Sequence, residues 1–180
     1  VTDDGERVYA YFGNVGLYCL DQAGKELWSR KFGQFKTRAG WGTAASPVLH
    51  GDLVYINASV ESGALVALDR KTGAEKWRAD GINESWSTPL IATADSGREE
   101  LVVPTQGNVL AFDPITGKKF WSCKTDISWY MVPSLVADHG VVYCLGGRSG
   151  VAALAVRCGG SGDVTQTHRM WIGERGSNVT

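Results

Sequence analysis

Three histidines, four cysteines and nineteen carboxylates are the side chains of this 180-residue sequence best suited to chemistry. The cysteines, Cys19, Cys123, Cys144 and Cys158, are spaced 104, 21 and 14 residues apart with no C-x-x-C pair, so they do not form a zinc pattern. Their positions have a plainer account. Cys19 stands where Ala67, Ala111 and Ala155 stand in other copies of a repeat, Cys123 where Arg30 and Ala79 stand, and Cys144 where Ala10, Ile56 and Pro104 stand. Free cysteine in such places is a small hydrophobe. In an exported protein a disulfide stays open to it, with no pairing chosen by sequence. His50 and His139 fall in short Gly/Asp turns, and His168 just precedes Trp171; all three read as solvated. The run Gly159-Gly-Ser-Gly162-Asp163 lacks the G-x-x-x-x-G-K-[ST] phosphate loop and leads into no helix, so it is an enlarged turn. No catalytic, cofactor-binding or metal-ligating residue is assigned.

The elements that position these groups are written four times. Leu17 to Trp28, Leu65 to Trp77 and Val109 to Trp121 each run strand, turn, strand, and a worn fourth copy runs from Ala153 to Trp171. The positions Asp21, Asp69, Asp113 and Arg157 recur every 44 to 48 residues, a period that marks a repeat array. An Asp opening the turn accepts hydrogen bonds from amides further round it. Gly24, Gly73 and Gly117 supply the positive φ such a turn needs. The recurring tryptophans Trp28, Trp77, Trp121 and Trp171 are anchors that an isolated sheet would leave half exposed. Stacking on a neighbouring sheet would gain roughly 1.5–3 kcal/mol for each large side chain.

Each repeat resolves into four short strands, A to D, rich in Val, Leu and Tyr and bounded by Gly and Asp. No 11-residue window has helical spacing. Four-stranded units of about 44 residues, each needing a neighbour, describe propeller blades, here at 1–33, 44–80, 87–126 and 131–175. In an antiparallel meander the turns alternate between two ends. The D–A links and B–C loops therefore share one face of the disc, and the A–B and C–D turns share the other. On the first face the D–A links carry Trp41, Trp86, Trp129 and Tyr130, and the B–C loops supply Asn57, Ser59, Glu61, Gln106, Asn108, Arg148 and Ser149. Aromatic rings among amide and charged groups suit a binding surface, since Trp and Arg are favoured at interface hot spots. The competing role for these tryptophans is to pack the channel mouth between blades. The partner-contact set expected here is Trp41, Trp86, Trp129, Tyr130, Asn57, Gln106 and Arg148.

Composition restricts the function classes. A formal charge of −1 argues against a nucleic-acid binder, which usually shows a basic face. No run of 18 apolar residues exists, so nothing spans a membrane as a helix. The later repeats open at Pro47, Pro89 and Pro133, yet only Val1-Thr2 precede the first matching turn and nine residues follow Trp171. The chain thus reads as cut inside one repeat and just before another, with the remaining blades of the same parent chain as its expected neighbours.

The pattern Gly-x-Val/Leu-x-Ala-Leu/Phe-Asp-x-x-Thr-Gly-x-x-x-Trp at Leu65 to Trp77 and Val109 to Trp121 resembles the PQQ-like (quinoprotein) repeat, as does Ser46-Pro47-Val48 through Tyr55. The resemblance covers nearly the whole chain. It implies an all-β fold, a partial propeller of about four four-stranded antiparallel blades from a seven- or eight-bladed ring. It also implies a bacterial, periplasmic or secreted location. The family includes quinoprotein alcohol dehydrogenases and the BamB-type lipoprotein of outer-membrane protein assembly. Its dehydrogenases use a vicinal Cys-Cys and a calcium held by carboxylate and amide groups, and no two cysteines here are adjacent. The expected function is therefore a non-catalytic scaffold for a protein or polymer partner, with neither PQQ nor calcium bound. The other class implied is a segment of a PQQ-dependent dehydrogenase whose catalytic residues lie elsewhere, and a weaker one is an appended sensor domain.

Overall fold

The computed structural model describes residues 1–34, 40–147 and 153–173. The chain divides into two compact units, Val1–Thr88 and Pro89–Thr180, and each contains two sheets built on antiparallel four-stranded meanders.

In the first unit, β1 (Thr2–Asp3), β2 (Arg7–Tyr11), β3 (Leu17–Asp21) and β4 (Glu26–Arg30) form one meander in chain order. The second is β5 (Val48–His50), β6 (Leu53–Ala58), β7 (Ala64–Asp69) and β8 (Glu75–Asp80). Strands β6 and β7 are buried on both faces, which explains their nearly continuous apolar runs. Tyr9, Leu17, Cys19 and Trp28 of the first sheet share one core with Val54, Ile56, Val66 and Leu68 of the second.

In the second unit, β9 (Leu90–Thr93), β10 (Glu99–Thr105), β11 (Asn108–Phe112) and β12 (Lys119–Lys124) form a meander. So do β13 (Val136–Asp138), β14 (Val141–Leu145), β15 (Ala153–Arg157) and β17 (Arg169–Gly173). The enlarged glycine-rich turn does more than connect. Its two-residue strand β16 (Gly162–Asp163) pairs parallel with Trp121 and Ser122 of β12, giving the third sheet a fifth strand. Trp121, Cys123, Cys144, Leu154 and Val164 pack in one core.

One irregularity recurs in all four sheets. The C–D ladder slips after Cys19, Ala67, Ala111 and Ala155, each directly opposite Trp28, Trp77, Trp121 and Trp171. A bulge at a fixed place re-aims the strand that follows, so the small residue and the tryptophan form one repeated device. Trp28, Trp77 and Trp121 are buried, whereas Trp171 is 47% exposed. The Asp anchors behave as their residue type requires. Asp21 accepts from the amides of Ala23 and Lys25, Asp69 from Lys71 and Thr72, and Asp113 from Ile115 and Thr116, all at 2.8–3.0 Å.

Sheet topology and turns identify these elements as propeller blades. The register amends one alignment: Cys144 lies opposite Leu154 as Val103 lies opposite Leu110, so Val103 rather than Pro104 is its counterpart. Helical structure among the described residues is confined to B–C loops, as a 3-10 turn at Gly13–Val15 and a single α-helical turn, α1 (Ser59–Ser62), closed by Gly63 in the left-handed conformation. Both are too short to leave a helical period in the sequence.

Candidate functional site

Hydrogen bonds confirm within each unit that D–A links and B–C loops lie together. Ile82 donates to the Gly63 carbonyl, Thr125 to Gly107, Gly107 to Ile127 and Gly147 to Tyr130. At the opposite end, Arg70 donates to Asp52 and Cys158 to Gly140, joining C–D to A–B turns.

In the first unit the link-and-loop face is built from the inside outward. Asn57 is fully buried at the end of β6. Its amide donates to the carbonyls of Ser87 (2.9 Å) and Ser85 (3.4 Å), and its oxygen accepts from the Ser59 amide (3.2 Å). Ser59 Oγ is 3.0 Å from the Ser85 carbonyl and 3.1 Å from its amide nitrogen. Buried polar groups are tolerated when paired in this way, and the pairing clamps the 85–87 link to the B–C loop. Clamped between two such serines, Trp86 is 4% exposed and its Nε1 donates to the Gly42 carbonyl at 2.9 Å. Trp41 packs edge-on against Trp86, with ring centroids 5.8 Å apart, and remains 43% exposed. Phe12, which caps the 3-10 turn on this face, and Val15 within it are more exposed still, at 59% and 54%.

The second unit repeats the theme with different means. Trp129 and Tyr130 stack edge-on at 5.4 Å, both half-buried. Tyr130 has φ +70°, unusual for a residue with a bulky side chain. Gln106 is half-buried in the B–C turn, whose neighbour Gly107 ties it to the 125–127 link.

The expected contact set therefore divides. Trp41 is offered to solvent; Trp129, Tyr130 and Gln106 are partly so; Asn57 and Trp86 are framework, buried because each fills the space between a loop and a link. Arg148 lies outside the described residues. Sequence reasoning missed the Ser85–Ser87 clamp, whose only signal is a small polar residue on each side of Trp86.

Chemistry elsewhere is sparse. His139 is exposed and its Nδ1 lies 2.8 Å from Asp138 Oδ2, which raises its pKa above the ordinary histidine value. It sits beside an open groove of about 350 Å³ lined by Ile91, Thr93 and Gly140. All four cysteines are free and buried. Burial pushes the Cys144 and Cys158 thiols up to about 12, the charge of nearby Glu100 adding to the effect at Cys158. Thiols so placed are inert. Among the described residues no group of three His, Cys, Asp or Glu could hold a metal ion, and no helix is long and apolar enough to cross a membrane.

The fold has solved relatives. BamB from Moraxella catarrhalis superposes with a TM-score of 0.68 over 100% of this chain and 50% of its own length, at 19% identity. The quinohemoprotein alcohol dehydrogenase ADHIIG from Pseudomonas putida HK5 gives a TM-score of 0.68 over 99% of this chain and 34% of its own, at 16% identity. That from Comamonas testosteroni gives 0.67 over 96% and 34%, at 13% identity. The chain thus spans half the length of the BamB structure and about a third of the dehydrogenases. No curated protein sequence matches it. The family model described as outer membrane protein assembly factor BamB matches residues 1–177, and the chain belongs to that family.

Proposed function

We propose that this chain is the propeller region, with blades at 1–33, 44–80, 87–126 and 131–175, of a non-catalytic scaffold in the bacterial envelope, periplasmic or secreted. It presents its link-and-loop face to a protein or polymer partner. The observation that carries the reading is Trp41, a large aromatic held at the surface by buried framework. Its backing ring, Trp86, is fixed through Gly42 and the Asn57–Ser85–Ser87 clamp. An aromatic held rigid in advance loses little entropy on binding. Trp129, Tyr130 and Gln106 serve the same role in the second unit, and neither PQQ nor calcium is needed. The second reading, a segment of a PQQ-dependent dehydrogenase, draws on the fold likeness to the alcohol dehydrogenases.

The test is photo-cross-linking in cells, with a photoreactive residue at position 41 or at Leu27, an exposed residue of β4, in the full parent chain. A discrete adduct from position 41 and none from 27 is expected; equal labelling of both would refute the binding surface. Titration with PQQ plus calcium separates the two readings, because saturable micromolar binding would establish the dehydrogenase one.

A further inference from the structure

Beneath the Trp41 surface lies a carboxylate that the framework does not use. Glu61, in α1, is 5% exposed, and both of its carboxylate oxygens are buried with no hydrogen bond of good geometry among the described residues. It is wedged among three other segments. A Cβ at Gly13 would lie 3.1 Å from Glu61 Oε1 and 3.3 Å from Thr43 Cγ2, so carboxylate and Thr43 both press on the 3-10 turn. A Cβ at Gly33 would lie 2.6 Å from the Glu61 carbonyl. Thr43 is two residues from Trp41 and next to Gly42, the acceptor of the Trp86 indole. The Tyr11 hydroxyl is likewise buried and without a hydrogen bond of good geometry, but is electrostatically coupled to Glu61. Tyr11 is the titratable group facing the carboxylate among the described residues; Gly13 and Thr43 do not ionise.

An ionised carboxylate in such a place is costly, because the Tyr11 hydroxyl and a local amide replace only part of the water it gives up. A protonated one is a neutral filler of about the same shape. Burial accordingly raises the Glu61 pKa above 4.5, against a smaller opposing contribution from Tyr11.

We propose that Glu61 is a protonation-controlled wedge beneath the Trp41 binding surface. The inference rests on the reading of that face as a binding surface. Protonated, Glu61 lets the 3-10 turn, α1 and the Thr43 link close on one another, and Trp41 stays seated against Trp86. Ionised, it forces the turn and the link apart to admit water, and Trp41 comes loose from its backing ring. A partner that needs a rigid Trp41 then binds better at mildly acidic than at alkaline pH.

The experiment follows the full chain labelled with 5-fluorotryptophan by 19F NMR from pH 4.5 to 9, with the Trp41 and Trp86 signals assigned by Trp41→Phe and Trp86→Phe. In the wild type both signals should shift together through one step whose midpoint lies above 4.5. In Glu61→Gln the step should vanish, with both signals held at their acidic positions, and Tyr11→Phe should move the midpoint. A step that survives in Glu61→Gln, or a wild type with no step, would overturn the proposal. Should Glu61→Gln fail to fold, the 13C carboxyl resonance of Glu61 in the wild type decides: an ordinary glutamate midpoint refutes the wedge and a raised one supports it. No partner enters these measurements, so failure of the binding-surface reading, seen as equal cross-linking at 41 and 27, is distinguishable from failure of the wedge.

Discussion

The two units close the seam between their paired sheets in contrasting ways. In Val1–Thr88 the seam is made by the repeat turn itself. The Trp28 ring lies flat over Gly73, where a Cβ would come within 2.6 Å of it. Trp28 Nε1 donates to the Arg70 carbonyl at 3.2 Å, and Arg30 Nε to the Gly73 carbonyl at 2.7 Å. In Pro89–Thr180 the corresponding turn has lost its Asp and grown, and a buried charge replaces it. Glu100, fully buried, accepts from Trp121 Nε1 at 2.7 Å, Arg98 Nε at 3.0 Å and the Gly159 amide at 3.0 Å. Arg98 reaches on to the Gly160 carbonyl at 2.8 Å and stacks on Phe120, 4.3 Å from the ring centroid. A repeat turn can thus be discarded when another residue takes over the indole N–H and the orphaned amides. The exchange replaces a contact made to backbone carbonyls and shaped by Gly73 with one centred on a buried carboxylate.

This contrast predicts unequal fragility. Glu100→Ala should be the most damaging change, because it strands a guanidinium, an indole N–H and an amide together. Truncating one partner of a buried pair costs about 3–5 kcal/mol. Arg98, whose side chain is 35% exposed, recovers some solvation, so about 3 kcal/mol is expected, read as a lower urea midpoint. A loss below about 1 kcal/mol, the size of an ordinary hydrogen bond, would mean that the second seam does not depend on its charge.

The first seam should break through shape. Gly73→Ala places a methyl group into the Trp28 ring at a backbone φ of +69°. Gly97→Ala, at φ +83° with nothing within 4 Å, isolates the backbone penalty alone. About 1 kcal/mol is expected for Gly97→Ala and about 2–3 kcal/mol for Gly73→Ala, where overpacking adds to it. Equal losses in urea melts would show that Trp28 yields freely and that the turn is not the clasp.

The smallest effect concerns acid. The Thr72 amide above all, with the Thr72 hydroxyl and Lys76 helping, holds the Asp69 carboxyl at about 2, below its usual 3.8. A depressed carboxyl stabilises the fold fully above its unfolded value and loses that contribution as pH falls through the folded one. Asp69→Asn should therefore flatten the fall in melting temperature between pH 3.8 and 2, while costing a little at neutral pH. Asp69 sits in a surface turn with its side chain 22% exposed, where solvent screens the charge, so the change should stay small. Arg157, the corresponding position in the fourth sheet, lacks this carboxyl and instead pairs with Asp95 at 3.1 Å in an exposed ion pair, so Arg157→Gln should alter the acid limb less than Asp69→Asn does.

Much of this protein can be read from its sequence, and the reason is locality. Strands such as β14 (Val141–Leu145) announce themselves by composition. The repeat turn follows from an Asp, a Thr and a Gly at fixed spacing, because the bonds of Asp69 reach only two or three residues along the chain. The 44- to 48-residue period then dictates four sheets that must find neighbours. Tertiary structure alone decided which polar residues were taken inside. Asn57, Glu61 and Glu100 look like any other hydrophilic residues of a strand or loop, yet all three are buried. Two are fully bonded and one is not. That outcome depends on which link crosses which loop, a relation between residues 20 to 60 positions apart, as in Asn57 with Ser87 or Glu100 with Gly159. Burial and pairing at such separations arise only when the sheets assemble, and they separate the residues that hold Trp41 in place from Trp41 itself.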